Sequence, residues 1–216
     1  MLSPPQPIAR LTQPSLFGQG EPSINPELGH ASRLRLSRGA WVDHLPGWLD
    51  GHDTIFERMM DTISWQQKSR SMYDRIVDEP RLTYSFDTSQ ESGNNHYPQG
   101  LEVIQEMLDS LNQHYDYEFS TVSLNLYRDG TDSVAWHGDQ VARHRLTALV
   151  ATVSVGEPRP FRLRPKSGGA SHTLLLGHGD LTVMGGTCQR TWEHCVPKVA
   201  KAGPRIVIMF RPRWVS

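Results

Sequence analysis

The sequence predicts a mainly β protein, a sandwich or barrel preceded by two helices. Three observations carry this expectation. From Phe119 onward, apolar residues recur in short runs with the two-residue period of a strand. Glycine turns at Gly168-Gly169, Gly177 and Gly185-Gly186 separate those runs, the punctuation of a sheet protein. Only two earlier stretches, around residues 49–63 and 101–111, space their apolar residues as a helix does.

Taken in order, residues 1–40 read as an irregular, partly disordered arm, with prolines at 4, 5, 7, 14, 22 and 26 and little periodicity. Within it Arg33-Leu-Arg-Leu-Ser-Arg38 alternates, as an edge strand with a basic face or a charged linker would. Residues 41–216 read as a single domain. A first helix is expected from about residue 50, capped by Asp50 or Asp53, with Leu49, Ile55, Phe56, Met59, Met60 and Ile63 as its apolar stripe. Residues 65–97 mix aromatics, charges and turn formers and read as short strands and loops. Leu101, Ile104, Met107, Leu108 and Leu111 mark a packing helix. The run 120–127 puts Val122, Leu124 and Leu126 on one face and Ser123, Asn125 and Tyr127 on the other, so its polar face lines a cavity or meets water. Further strands are expected over 146–153, 160–164, 171–176, 180–184 and 205–210.

At 216 residues the chain is long enough for a full hydrophobic core. Two cysteines, Cys188 and Cys195, make no secreted disulfide framework, and no zinc-type CxxC pair accompanies them. The start, Met1-Leu-Ser-Pro-Pro, does not read as a secretion signal, and no apolar run approaches a membrane span of about 20 residues. A cytoplasmic, monomeric protein is expected. The net charge of −1 selects no partner, but Arg143, Arg145, Arg159, Arg162, Arg164 and Lys166 face only Glu157 between residues 141 and 166. Such a local basic surface can meet phosphates.

The chemistry centres on His137-Gly-Asp139. Residues two apart on an extended segment point the same way, so an imidazole and a carboxylate can reach one metal ion. The third ligand expected among ten histidines is His194, in Trp192-Glu-His194 after a glycine turn. Two histidines and a carboxylate form the facial triad of non-haem Fe(II) oxygenases, which leaves coordination positions open. Downstream, Arg205 and Arg211 lie six apart on an alternating run and share a face.

This ordered set, Asn125-x-Tyr127, His137-x-Asp139, His194, Arg205 and Arg211, resembles the AlkB family of Fe(II)/2-oxoglutarate dioxygenases, which remove alkyl groups from nucleic-acid bases. Pro80-Arg-Leu-Thr83, Tyr127-Arg-Asp-Gly-x-Asp-Ser-Val134, Phe161-Arg-Leu-Arg164 and Gly177-His-Gly-Asp-Leu181 are similar to family segments in family order, so the likeness spans roughly residues 45–214. The resemblance implies a double-stranded β-helix, or jelly roll, over 119–214 and a substrate lid over 65–100. It implies Fe(II) on His137, Asp139 and His194, with 2-oxoglutarate and O2 as co-substrates. Arg205 would hold the distal carboxylate of 2-oxoglutarate, with Asn125 and Tyr127 supporting it and Arg211 nearer the metal. Tyr84 and Phe86 would stack on an extruded base. Arg81 and Gln140 would also contact substrate, and Arg162 and Arg164, with Arg159, would grip phosphates. The implied activity is oxidative dealkylation of N-alkylated bases in DNA or RNA, the alternative being the same chemistry on a protein or lipid. A non-catalytic binding protein with a structural metal is disfavoured, because structural sites are normally closed by protein ligands. Two departures stand out: Gln140-Val141 where family members usually carry an acid, and Val207 where they often carry asparagine.

Overall fold

The computed structural model describes residues 18–72, 75–86, 97–141 and 144–213. The chain runs β1 (Ser23–Ile24), β2 (Ser32–Arg35), β3 (Ala40–Leu45), β4 (Leu49–Asp50), α1 (His52–Thr62), β5 (Gln66–Met72), β6 (Arg75–Ser85) and α2 (Val103–Tyr115). It continues through β7 (Thr121–Tyr127), β8 (Val134–His137), β9 (Val150–Gly156), β10 (Arg159–Pro165), β11 (His172–Leu176) and β12 (Asp180–Gly186). A short α3 (Cys188–Thr191), β13 (Trp192–Val196) and β14 (Arg205–Arg211) complete it.

An eight-stranded sheet, in the order β2-β3-β12-β9-β14-β7-β6-β5, faces a four-stranded sheet, β11-β10-β13-β8, and β1 pairs with β4. The strand pairings are antiparallel. This is a jelly roll with helices on the outer face of its larger sheet. The period-two geometry of β14 shows how one sequence serves both layers. Ile206, Ile208 and Phe210 join the core under α1 and α2, while Val207 and Met209 join the layer between the sheets. Phe161, Leu163, Trp192 and Val196 close that inner layer from the smaller sheet. β7 divides the same way, with Val122, Leu124 and Leu126 beneath the helices and Tyr127 inside the roll.

Both helices form, with differences in detail. In α1, Ile55, Phe56 and Met59 are buried as expected, but neither Asp50 nor Asp53 is its cap. The cap is Gly51 at φ 64°, with no side-chain cap bond. A Cβ there would lie 2.8 Å from the Gly20 carbonyl oxygen, so the tight passage from β4 demands glycine. Asp53 lies in the first turn, and its backbone N–H donates to Gly18 O. α2 extends past the expected end to Tyr115 and buries Ile104, Met107, Leu108 and Leu111, while Leu101, also buried, precedes it.

Elsewhere the chain is more regular than expected. The stretch after Trp65 forms one long hairpin, β5–β6, whose second strand pairs with β7 through Thr83↔Asn125. Residues 87–96 of the expected lid and 1–17 of the expected arm lie outside the described residues. From residue 18 the arm carries short elements, and β2 pairs with β3 as the edge strand that Arg33–Arg38 suggested. Arg33 donates to both oxygens of the buried Asp43 at 2.6 and 2.7 Å and lies 3.8 Å over the Trp41 ring. β9 begins at Val150 rather than 146, and β13 is an additional strand.

Candidate active site

The site lies inside the roll, between β7 and β14 of the larger sheet and β8 and β13 of the smaller one. β14 pairs with β7 through Arg205↔Tyr127, Val207↔Asn125 and Arg211↔Thr121, which sets Arg205, Arg211, Asn125 and Tyr127 on the inward face. Across the interior, His194 of β13 pairs with His137 of β8. The next partners are Val196 and Val134, so β8 fits one extra residue between them. That bulge turns both Val134 and His137 into the cavity.

One ligand atom each from His137, Asp139 and His194 lies within 4.8 Å of the others. His137 Nδ1 is 2.8 Å from Ala135 O, so Nδ1–H donates there and Nε2 is left with its lone pair for a metal. Asp139 is tied at both ends. Its backbone N–H donates to Gln189 Oε1 at 2.8 Å, and its Oδ1 accepts from Arg211 Nη2 at 3.0 Å. Oδ2 lies 3.7 Å from His194 Nε2 and accepts no hydrogen bond among the described residues. Gly138 between the ligands is required by packing, because a Cβ there would sit 2.6 Å from Gln189 O.

Electrostatics prepares these groups for a cation. Burial pushes His194 down to about 3, so the imidazole stays neutral and one ring nitrogen keeps its lone pair near pH 7. Burial alone would raise the Asp139 carboxyl, but Arg211, His194 and His137 outweigh it and hold the group below its usual range. The donor set is two imidazoles and one carboxylate on one side of an open cavity, the ligand chemistry of a facial Fe(II) site.

That cavity encloses about 550 Å³. Arg205 lies in its wall at 2% exposure, and burial lowers its guanidinium to about 10, still protonated at neutral pH. Arg205 Nη2 donates to Ser154 Oγ at 2.7 Å, whereas its Nε and Nη1 have no hydrogen-bond partner among the described residues. A buried cation with unmatched donors on a cavity wall is a receptor for an anion. Tyr127 stands beside it, with its ring 5.5 Å from the guanidinium carbon, and burial raises its phenol against the pull of Arg205. Asn125 Nδ2 lies 3.4 Å from Met209 Sδ, a weak contact for an amide on the same wall.

The expected substrate residues divide. Arg81 and Gln140 line the cavity. Tyr84 and Phe86 do not: they pack in the helix-side core, with ring centroids 5.1 Å apart. The expectation that they stack on a base is corrected, because Tyr84 pairs with Leu124 and takes the face opposite Asn125. Arg162 and Arg164 are exposed on the outer face of the smaller sheet. Arg164 lies 4.2 Å over the Trp136 ring and pairs with Glu193 at 2.9 Å. Arg159 cannot grip a phosphate, since it is fully buried and donates to the carbonyls of Asp129, Asp132 and Pro197. Arg143 lies outside the described residues. The sequence did not single out Glu79, Ser154, Phe161 or Gln189, which line or brace the cavity. Only Phe161 carried a signal, as the inward member of its alternating strand.

A jelly roll in which two imidazoles and a carboxylate converge beside an anion-seeking arginine has the build of an Fe(II)/2-oxoglutarate oxygenase. The family model described as 2OG-Fe(II) oxygenase superfamily matches residues 45–211, and the chain belongs to that superfamily, within its AlkB family. Human alpha-ketoglutarate-dependent dioxygenase alkB homolog 3 is 29% identical over 185 residues, 77% of this chain and 64% of that protein. DNA oxidative demethylase ALKBH2 of Arabidopsis thaliana is 30% identical over 222 residues, 86% of this chain and 68% of that protein. The chain thus spans 64% of the length of the alkB homolog 3 relative. Among solved structures, OsALKBH1 superimposes with a TM-score of 0.56 at 14% identity, covering 84% of this chain and all of that one. A 2OG-Fe(II) oxygenase-family oxidoreductase from Burkholderia pseudomallei gives 0.55 at 13%, covering 79% and 84%. Among the described residues, no helix is long and apolar enough to cross a membrane.

Proposed function

We propose that this chain is a cytoplasmic Fe(II)/2-oxoglutarate-dependent dioxygenase that oxidatively removes alkyl groups from bases of DNA or RNA. The observation that carries the reading is the pair of unmatched donors on buried Arg205, set in the same cavity as the His137, Asp139 and His194 donors. The two sets suit a metal ion together with a dianionic co-substrate, and the relatives' names supply the substrate class. Two free, buried cysteines suit a reducing compartment.

His137, Asp139 and His194 would hold the iron, which with 2-oxoglutarate supplies the oxidant that places one atom of O2 on an N-alkyl carbon. Arg205 pairs with the distal carboxylate of 2-oxoglutarate, its orientation fixed by Ser154. Arg211 holds one oxygen of Asp139 and thereby presents the other to the metal. Gln189 anchors the Asp139 backbone, keeping the carboxylate from turning. Phe161, whose ring lies 5.3 Å from that of His194, and Val196 keep water from the imidazole edge. For a methyl group the sum is N–CH3, O2 and 2-oxoglutarate giving N–CH2OH, succinate and CO2. The hydroxymethyl group then leaves as formaldehyde, and its hydroxyl proton passes to the nitrogen where the repaired base carries N–H there, or to solvent where the nitrogen regains a lone pair.

The test is incubation with Fe(II), 2-oxoglutarate and a panel of single- and double-stranded DNA and RNA oligonucleotides, each carrying one methylated base, with methylated peptides alongside. Loss of 14 Da per methyl from an oligonucleotide, at a rate abolished without 2-oxoglutarate, supports the proposal. Reaction of the peptides alone refutes it.

A further inference from the structure

The loop that leaves the metal-ligand pair has few apolar anchors. After Asp139 it places Gln140 in the cavity wall and buries Val141 between the sheets. Residues 144–147 are then exposed, Leu146 at 71%, before Ala148 is buried again. So little apolar burial belongs to the low-stability end of a fold, and a loop that must face a substrate needs some other hold. Arg190 of α3 supplies it. Its Nη2 donates to Val141 O at 2.6 Å, its Nε donates to Arg145 O at 3.2 Å, and its Nη1 lies 3.4 Å from Asp139 O. One guanidinium thus reaches backbone carbonyls on both sides of Gln140.

α3 is a single helical turn, too short to be stable alone, so its own support matters. It is fastened to the turn that enters β3. Thr187 Oγ1 donates to Arg38 O at 2.7 Å, Thr187 N–H to Gly39 O at 3.4 Å, and Trp192 Nε1 to Ser37 O at 3.3 Å. From that base, two adjacent residues hold different things. Gln189 accepts the Asp139 N–H while Arg211 holds the Asp139 carboxylate, so the metal ligand has two supports apart from Arg190. The backbone around Gln140 is what Arg190 adds.

The neutrality of Gln140 raises the demand on that backbone. A carboxylate attracts a cation over a wide range of directions. An amide offers a donor at Nε2 and an acceptor at Oε1, and each bond weakens steeply once misaligned. We propose that Arg190 is a positioning residue for the substrate: by clasping the carbonyls of Asp139, Val141 and Arg145, it sets the direction in which the Gln140 amide meets the base. This rests on the reading of the chain as a base dealkylase. Arg190 acts through the loop backbone, and its loss lets Gln140 turn away while the metal ligands stay in place.

The test uses the full chain with Fe(II), 2-oxoglutarate and the single-stranded methylated oligonucleotide that the wild type oxidises fastest. Arg190→Ala should lower kcat/KM for the oligonucleotide about 10- to 100-fold, the cost of misplacing a reacting group by about 1 Å. The KM for 2-oxoglutarate and the Fe(II) affinity in anaerobic titration should stay within about twofold of wild type. Gln140→Ala should also lower kcat/KM, and adding Arg190→Ala to it should cost less than about threefold more, because the second residue acts through the first. Arg190→Lys, which can keep one of the three carbonyls, should fall between wild type and Arg190→Ala, and it carries the same cycle with Gln140→Ala should the alanine variant fail to fold. Fully additive losses overturn the proposal, as do an unchanged kcat/KM in Arg190→Ala or Gln140→Ala, or a fall in Fe(II) affinity that matches the fall in kcat/KM. If the wild type oxidises no methylated base at all, the dealkylase reading itself fails, and the proposal with it.

Discussion

Replacing Arg205 by lysine keeps a cation but removes the planar fork that the site uses. The guanidinium is 2% exposed in the cavity wall and spends Nη2 on Ser154, while Nε and Nη1 have no hydrogen-bond partner among the described residues. A carboxylate bound through those two donors makes two charge-assisted hydrogen bonds, of which an ammonium on a shorter reach keeps at most one. Losing one such bond costs about 1.5–3 kcal/mol, so the KM for 2-oxoglutarate should rise about 10- to 150-fold. Fe(II) affinity should hold, because no contact joins Arg205 to His137, Asp139 or His194 among the described residues. The pH behaviour should change as well. Burial brings the arginine down only to about 10 and leaves it charged. The same burial acting on a lysine, whose ordinary value is about 10.4, brings it much closer to neutrality. Deprotonation removes the attraction, so the variant's KM should climb between pH 7 and 9 while the wild type stays flat. Initial-rate assays of succinate at varied 2-oxoglutarate decide the matter. A variant KM within about twofold of wild type at every pH would move the co-substrate carboxylate away from Arg205.

Other outcomes follow from the same geometry. His137→Ala, Asp139→Ala and His194→Ala should each remove measurable Fe(II) binding in anaerobic titration, and a variant that binds as wild type would strike that residue from the site. Arg159→Ala strips three backbone carbonyls of a buried donor and should cost about 3 kcal/mol in urea denaturation, at about 1 kcal/mol per bond. Arg162→Ala/Arg164→Ala should leave stability within about 0.5 kcal/mol, yet shallow the log–log salt slope of oligonucleotide binding by about one to two. An unchanged slope would make those arginines bystanders. In the metal-free protein, His194 is pushed far below its ordinary value, so between about pH 6.5 and 3 the unfolded chain carries a proton that the folded one rejects. Stability should therefore fall as pH drops from 7.5 to 5, less so in His194→Gln, and a urea midpoint that holds or rises would contradict the burial argument.

The parts of the site legible in the sequence are those where local period settles direction. His137 and Asp139, Arg205 and Arg211, and Asn125 and Tyr127 each share an extended segment at even spacing, and each pair lines the cavity. The misassignments are also matters of parity. Tyr84 and Phe86 alternate as well as Arg81 and Thr83 do, but which set faces the cavity depends on the register of β6 against β7, a long-range fact. Arg159 could have been read correctly: it has the parity of Phe161 and Leu163, not of Arg162 and Arg164, and so points inward. Ser154 and Gln189 had no local signature, because their roles come from elements brought together across the chain. Gly51 replaced the expected aspartate caps because the approach from β4 leaves no room for a Cβ.

The account stands most directly on the coupling of co-substrate to base. With a single-stranded oligonucleotide bearing one methylated base, succinate, formaldehyde and repaired base should form in equal amounts, and all three should vanish together in His194→Ala. Succinate formed at the same rate with and without the oligonucleotide, with no formaldehyde or repaired base, would contradict it.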